Sequence, residues 1–192
     1  MSDDAGPEHA AWVKSALERF EGPLTTYVRH LVGDAERARD LVQEAFLRLC
    51  RQDRAAIEAT LAPWLYTVCR NLAMDERRKG RHMPRTNMEA LEERPTGAGS
   101  AEDAVEGRDL AARALVEVAR LPEGLQEVLR LKFAHGLSYA QIAQVTGLSP
   151  SHVGVKIHQG MTALRKRMGV LAPVATPVPT PLSAAVLEGG VS

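Results

Sequence analysis

From Trp12 to Gly80, apolar residues return at helical intervals almost without a break. Between Asp40 and Arg51, Leu41, Val42, Ala45, Phe46 and Leu49 form one stripe of an amphipathic helix, with Asp40, Gln43, Glu44 and Arg48 outside it. In a second such segment, Leu61, Trp64, Leu65, Val68 and Leu72 repeat at helical spacing, and Pro63 suits its first turn. The pattern stops at Pro84. It resumes near Asp109 and runs to Met168, broken at Leu121-Pro122, at Gly136 and from Gly147 to Pro150. The spacing predicts an all-α protein of two small helical domains.

Composition agrees. The chain has 192 residues, room for one medium domain or two small ones; 45% are apolar, mostly Ala, Leu and Val, and only 4% are aromatic. That stock favours helices over a β-sandwich or barrel. Cys50 and Cys69 are too few for a disulfide scaffold and are not spaced as a metal pair. Both lie in amphipathic stretches and are expected to be buried small apolar residues. Asp3 and Asp4 stand where a secretion signal needs positive charge, and no run of about 18 apolar residues offers a membrane span. A cytoplasmic location is the expectation. Residues 86–110 hold seven acids against two arginines, with Pro95, Gly97, Gly99 and Ser100 among them, and read as a flexible acidic linker. After Gly169, Pro173, Pro177, Pro179 and Pro181 mark a loose tail.

The run from Leu137 to Val153 has the mechanics of a helix-turn-helix. Ser138 caps a short helix in which Ile142, Ala143 and Val145 point inward, and small Ala143 lets a second helix cross closely. Gly147 supplies the turn, Ser149 caps again, and Pro150 opens a helix to about Met168. This arrangement lays its second helix in the DNA major groove. With Val153 and Ile157 buried, Ser151, Val155, His158, Gln159 and Thr162 face outward, flanked by His152 and Lys156. Arg165, Lys166 and Arg167 follow. The plainer alternative is a helical hairpin with a solvated basic end.

Formal net charge is zero, yet it is a cancellation: residues 63–85 carry +4, residues 151–168 carry +4, and the stretch 86–110 between them carries −5. Two separate basic segments bind phosphate whatever the total says.

Read together, these blocks resemble the extracytoplasmic-function (ECF) sigma factors of bacterial RNA polymerase. Asp40-Leu41-Val42-Gln43-Glu44-Ala45-Phe46-Leu47-Arg48-Leu49 is similar to that family's region 2.2, the run from Pro63 through Arg78 to regions 2.3 and 2.4, and Leu121-Pro122-Glu123 onward to region 4. The resemblance implies a first domain over 12–85, a linker over 86–110, a second domain over 111–169 and a tail over 170–192. It implies that Asp40, Gln43, Glu44 and Arg48 dock on the β′ clamp helices of core polymerase, with the β flap as a further polymerase contact. It implies that Tyr66, Arg70, Asn71, Asp75, Arg77, Arg78, Lys79 and Arg81 open and read the −10 element, Asn71 shaping a loop around a flipped base. For the −35 element it implies Ser151, His152, Val155, Lys156, His158, Gln159, Arg165, Lys166 and Arg167. Trp64, on the apolar stripe, is expected in the core; Tyr66 stays open as a stacking residue. An anti-sigma factor wedged between the domains is the implied regulator.

The recognition segment departs from the family, since Gly154, Gln159 and Met161 replace customary cations. Gly154 and Gly160 each cost about 1 kcal/mol of helix stability relative to Ala. A weaker or unusual −35 contact is therefore expected. The six histidines make no metal site, His152 and His158 being spaced off one helical face. No phosphate loop, nucleophile elbow or catalytic carboxylate pair occurs, so neither a cofactor nor an enzymatic activity is expected. Two other readings compete. A LuxR-like helix-turn-helix regulator leaves the Asp40–Arg48 and Trp64–Arg78 blocks unexplained. A sigma-mimicking adaptor that sequesters an anti-sigma factor fits the thinned cations but not the +4 segment.

Overall fold

The computed structural model describes residues 6–79 and 113–169, which form two helical units. The acidic stretch 86–110, the tail 170–192 and Arg81 lie outside the described residues. Helix α1 (Pro7–Val32) starts with Pro at its first position and ends at Gly33, whose φ of 80° lets its N–H reach Arg29 O at 2.8 Å. Pro23 inside it leaves the carbonyl four residues earlier without its usual donor. Helix α2 (Ala35–Leu49) is capped by Asp34, whose carboxylate accepts the Arg37 N–H at 2.8 Å. A short α3 (Arg54–Ile57) and a 3₁₀ turn (Glu58–Thr60) lead into α4 (Leu61–Lys79). Helices α1, α2 and α4 pack against one another around Leu24, Val28, Val42, Phe46, Leu49, Leu65 and Ala73.

The second unit begins with α5, described over 113–119, followed by α6 (Glu123–Phe133), α7 (Tyr139–Thr146) and α8 (Pro150–Met168). The Gln126 side-chain amide donates to the carbonyls of Ala119 (2.9 Å) and Leu121 (2.7 Å), holding the bend between α5 and α6. Ser138 and Gln141 form a reciprocal capping box at the start of α7. Gly147, at φ 74°, closes α7 with its N–H on Ala143 O at 2.9 Å. Ser149 then caps α8 by accepting the His152 N–H at 3.2 Å. Ile142, Ala143, Val145, Val153 and Ile157 are buried, as the helix-turn-helix pattern predicts.

Two sequence expectations change. Cys69 is buried, but Cys50 stands just past the last turn of α2 and is exposed. The stripe ends at Leu49, so the residue after it rotates out of the core. Gly160 is more than a weak helix former: a Cβ there would lie 2.9 Å from Leu129 Cδ1 and 3.1 Å from Leu129 Cγ. Leu129 is itself buried, so α8 meets α6 at a distance only glycine permits.

This gives a paired prediction. Gly160→Ala gains helix propensity but overpacks against Leu129, and should lower stability by about 1–2 kcal/mol. Gly154→Ala, whose Cβ would find only ordinary contact with the Tyr139 ring at 3.6 Å, should raise it by about 0.5–1 kcal/mol. Urea denaturation of the two variants checks both signs.

Candidate nucleic-acid interface

Two surfaces carry the residues singled out in the sequence, and α4 presents the first. Its last turn bears Arg77, Arg78 and Lys79, where cations also favour the negative end of the helix dipole. Asn71, Arg78 and Lys79 are exposed, whereas Asp75 and Arg77 are half-buried. Asn71 sits in the middle of α4, on the helix and not in the loop that resemblance implied. Arg78 is paired with Asp75 along the helix, and Glu76 reaches back to Arg37 of α2. Trp64 is partly buried against the core, as expected.

Tyr66 is buried at 2% exposure. Its ring lies 5.2 Å from that of Tyr27 on α1 and 5.2 Å from that of His135, in the turn after α6. Tyr27 completes the cluster at 5.8 Å from His135. Burial pushes both phenols above their ordinary pKa, and for Tyr27 the neighbouring Glu127 carboxylate adds to the rise. The Tyr27 hydroxyl therefore keeps its proton and donates it to Glu127 Oε1 at 2.9 Å. Arg70 donates through Nε to the same oxygen at 2.8 Å. Partial burial works against the Arg70 charge, but the hydrogen bond and the charge of Glu127 outweigh it and hold the guanidinium protonated. Arg77 makes a second cross-unit pair with Glu123 at 2.9 Å.

The second surface is α8. Ser151, His152, Val155, His158, Gln159 and Thr162 are exposed along its outer face. Val155, at 52% exposure, is the large apolar side chain on it. Lys156 is half-buried, its Nζ 3.4 Å from where a Cβ on Gly124 would stand, so it leans over the start of α6. Gly154 leaves room for the Tyr139 ring beside the α8 backbone. Lys132 lies over that ring at 5.4 Å. Of the two glycines, only Gly160 is required by a close approach; a Cβ at Gly154 would meet the ring at ordinary contact distance. Arg167 is tied to Glu117 of α5 at 3.4 Å, Arg165 is half-buried, and Lys166 is exposed.

On α2, Asp40, Gln43 and Arg48 are exposed and Glu44 is half-buried. Glu44 and Arg48 bind each other at 2.9 Å. Among them stands Leu47, 59% exposed, which the sequence reading did not single out. The signal was available, since Leu47 falls off the Val42–Ala45–Phe46–Leu49 stripe and so points away from the core. A leucine ringed by polar side chains has the make-up of a protein contact. Among the described residues, no group of His, Cys, Asp and Glu could hold a metal, and no helix is long and apolar enough to cross a membrane.

An exposed basic helix end in one unit and a capped helix-turn-helix in the other define a two-part, all-helical DNA-binding protein. Comparison with known proteins gives the family. Residues 16–83 match Sigma-70 region 2 and residues 112–164 match Sigma-70, region 4. The chain is 34% identical over 167 residues to ECF RNA polymerase sigma factor SigL of Mycobacterium tuberculosis, covering 84% of this chain and 91% of that one. It is 28% identical over 147 residues to ECF RNA polymerase sigma factor SigW of Bacillus subtilis, covering 72% of this chain and 79% of the relative. Among solved structures, it shares its fold with the sigma factor RpoE of Bartonella quintana, crystallised with the anti-sigma factor NepR. That likeness has a TM-score of 0.57 at 20% identity and covers 83% of this chain and 98% of the other. The chain belongs to the ECF group of the sigma-70 family.

The contrast between the two thiols is testable. Burial pushes the Cys69 pKa up to about 12, so at pH 8 it stays protonated and shielded, while Cys50 is open to solvent. A thiol-disulfide reagent should titrate Cys50 quickly in the folded protein and Cys69 only after denaturant is added.

Proposed function

We propose that this sigma factor directs core RNA polymerase to its promoters with its two units dividing the work. The first unit, over 12–85, docks on the β′ clamp helices through Asp40, Gln43, Glu44 and Arg48, with Leu47 as the apolar centre of that patch. Its α4 then holds and opens the −10 element. Arg70, Arg77, Arg78, Lys79 and Arg81 take the phosphates, while Asn71 and Asp75 are the base-reading side chains. The second unit, over 111–169, contacts the β flap and reads the −35 duplex with α8. There His152, His158 and Gln159 offer hydrogen bonds, Ser151 adds a hydroxyl, and Val155 packs on a thymine methyl. Lys156, Arg165, Lys166 and Arg167 serve the phosphates.

The observation that carries this reading is the coincidence of the family's two regions with the two basic helix surfaces. The outer face of α8 ahead of its basic last turn is mostly neutral, so base contacts there are made by uncharged side chains while Arg165, Lys166 and Arg167 supply the charge. A protein inhibitor, an anti-sigma factor, is the regulator we infer, by analogy with the crystallised relative.

In vitro transcription with core polymerase over a genomic promoter library tests this and supplies both promoter elements at once. Substituting Arg77, Arg78 and Lys79 with Ala should reduce open-complex formation at the cognate promoter at least about tenfold, read by permanganate footprinting. Unchanged melting would sink the assignment of α4. His158→Ala with Gln159→Ala should instead shift the −35 preference and leave core binding intact.

A further inference from the structure

The outer face of α8 runs through Ser151, His152, Val155, His158, Gln159 and Thr162, all exposed. On that face the two histidines are the side chains able to gain a charge. The permanent cations of the helix lie aside from it. Lys156 leans over the start of α6, Arg167 is tied to Glu117, and Arg165 and Lys166 belong to the last turn. Helix α8 itself contains no acid, and its neighbours offer none. On α7 the one titratable side chain is Tyr139, with Lys132 of α6 over its ring. The acid of α5, Glu117, is paired with Arg120 and Arg167, while Arg113 stands beside Met168 at the far end of α8. Both acids of α6 are engaged by α4, Glu123 on Arg77 and Glu127 on Arg70, and Arg130 binds Gln126. A proton gained by His152 or His158 therefore adds a positive charge that no carboxylate of the second unit neutralises. A DNA phosphate would neutralise it.

We propose that the outer face of α8 acquires its charge by protonation: His152 and His158 take up protons as α8 seats on −35 DNA, so that the contact tightens as pH falls. The proposal rests on the reading of α8 as the −35 surface. Imidazole is the side chain whose ordinary titration falls between about pH 5 and 8. A phosphate beside the ring favours the charged form, so the DNA-bound state holds the proton more firmly than the free state. Linkage then gives the sign. Binding takes up protons, so the gain is present at low pH and is lost as pH rises through the range of the bound histidines. Promoters whose −35 contact limits binding are thereby favoured as the surroundings acidify. Each protonated histidine also adds a phosphate partner, which steepens the dependence of log affinity on log salt by about 0.9.

The test uses holoenzyme assembled from core polymerase and the full chain, with a promoter returned by the library transcription. Anisotropy of a labelled fragment spanning both elements gives the affinity at about pH 6 and about pH 8, with a salt series at each. A second fragment ends short of the −35 element and reports what pH does to the polymerase and to the −10 contact. On the longer fragment wild type should bind about tenfold tighter at the lower pH, with a salt slope steeper by up to about 1.8. The shorter fragment should show neither change. His152→Gln with His158→Gln should bring the pH ratio on the longer fragment down to that of the shorter one, whatever the absolute affinity. His152→Lys with His158→Lys should keep the steep slope at both pH values, which also shows that a chain altered at both positions still folds. Equal pH ratios for wild type and the Gln variant overturn the proposal. So does a salt slope that pH leaves unchanged, or a pH gain that the shorter fragment shares in full. If wild type binds the two fragments equally at both pH values, the −35 reading itself fails and the proton coupling falls with it.

Discussion

Close approach between helices is the constraint on which this structure depends. With three Phe, three Tyr and two Trp in 192 residues, there are few large side chains to fill space between helices. The helices must come near enough for short side chains to reach close packing. Buried small residues mark where they do so: Ala16 on α1, Ala38 and Ala45 on α2, Ala73 on α4, Ala143 on α7 and Gly160 on α8. Caps and turns serve the same end. Asp34, Ser138 and Ser149 start helices at fixed residues, and that fixes which face each helix turns inward. Once the inward faces are set, the polar residues of α2, α4 and α8 have only one direction left to point.

Charge follows this geometry. Among the described residues the bundles bury apolar surface and bury no charged residue completely, so acids and bases organise over the outside and along the seam. Some pairs stay within one helix, such as Glu44–Arg48 and Arg54–Glu58, and these exposed contacts add little stability, typically below about 1 kcal/mol each. The seam pairs differ because partial burial strengthens them and because they join distant parts of the chain. Glu127 gathers a phenol from α1 and a guanidinium from α4 on one carboxylate. Three helices thereby meet at one acid, beside a cluster of three rings. The neutral total of the chain is partly this internal matching of α4 cations with α6 acids.

The fold was legible because its signals are local. The periodicity of Asp40–Arg51, the Ser138 and Ser149 caps and the turn glycine Gly147 each depend on residues a few positions apart, and all appear as read. The outward face of α8 was equally legible, since helical geometry alone assigns it once Val153 and Ile157 are buried. What was not legible depends on residues far apart in sequence. Gly160 looked like a defect until Leu129 appeared across from it. Tyr66 stayed open between core and surface, and its burial depends on Tyr27 and His135, both far from it in sequence. Asn71 was placed in a loop by resemblance, although its own neighbours favour the unbroken helix it occupies. Cys50 turned outward because the stripe that buries Leu49 ends one residue earlier. The seam had no sequence signature, because Glu123 and Glu127 read as ordinary acids on an amphipathic helix.

The seam also bears on how ionic strength acts on the molecule. Added salt weakens cation contacts to a nucleic-acid strand, because condensed counterions gain less entropy when released into a more concentrated solution. The same salt screens the Arg77–Glu123 pair, which is partly open to solvent, and loosens the grip of α6 on α4. The Arg70–Glu127 pair, withdrawn from solvent and joined by the Tyr27 hydroxyl, is screened far less, so salt loosens the seam at its Glu123 end first.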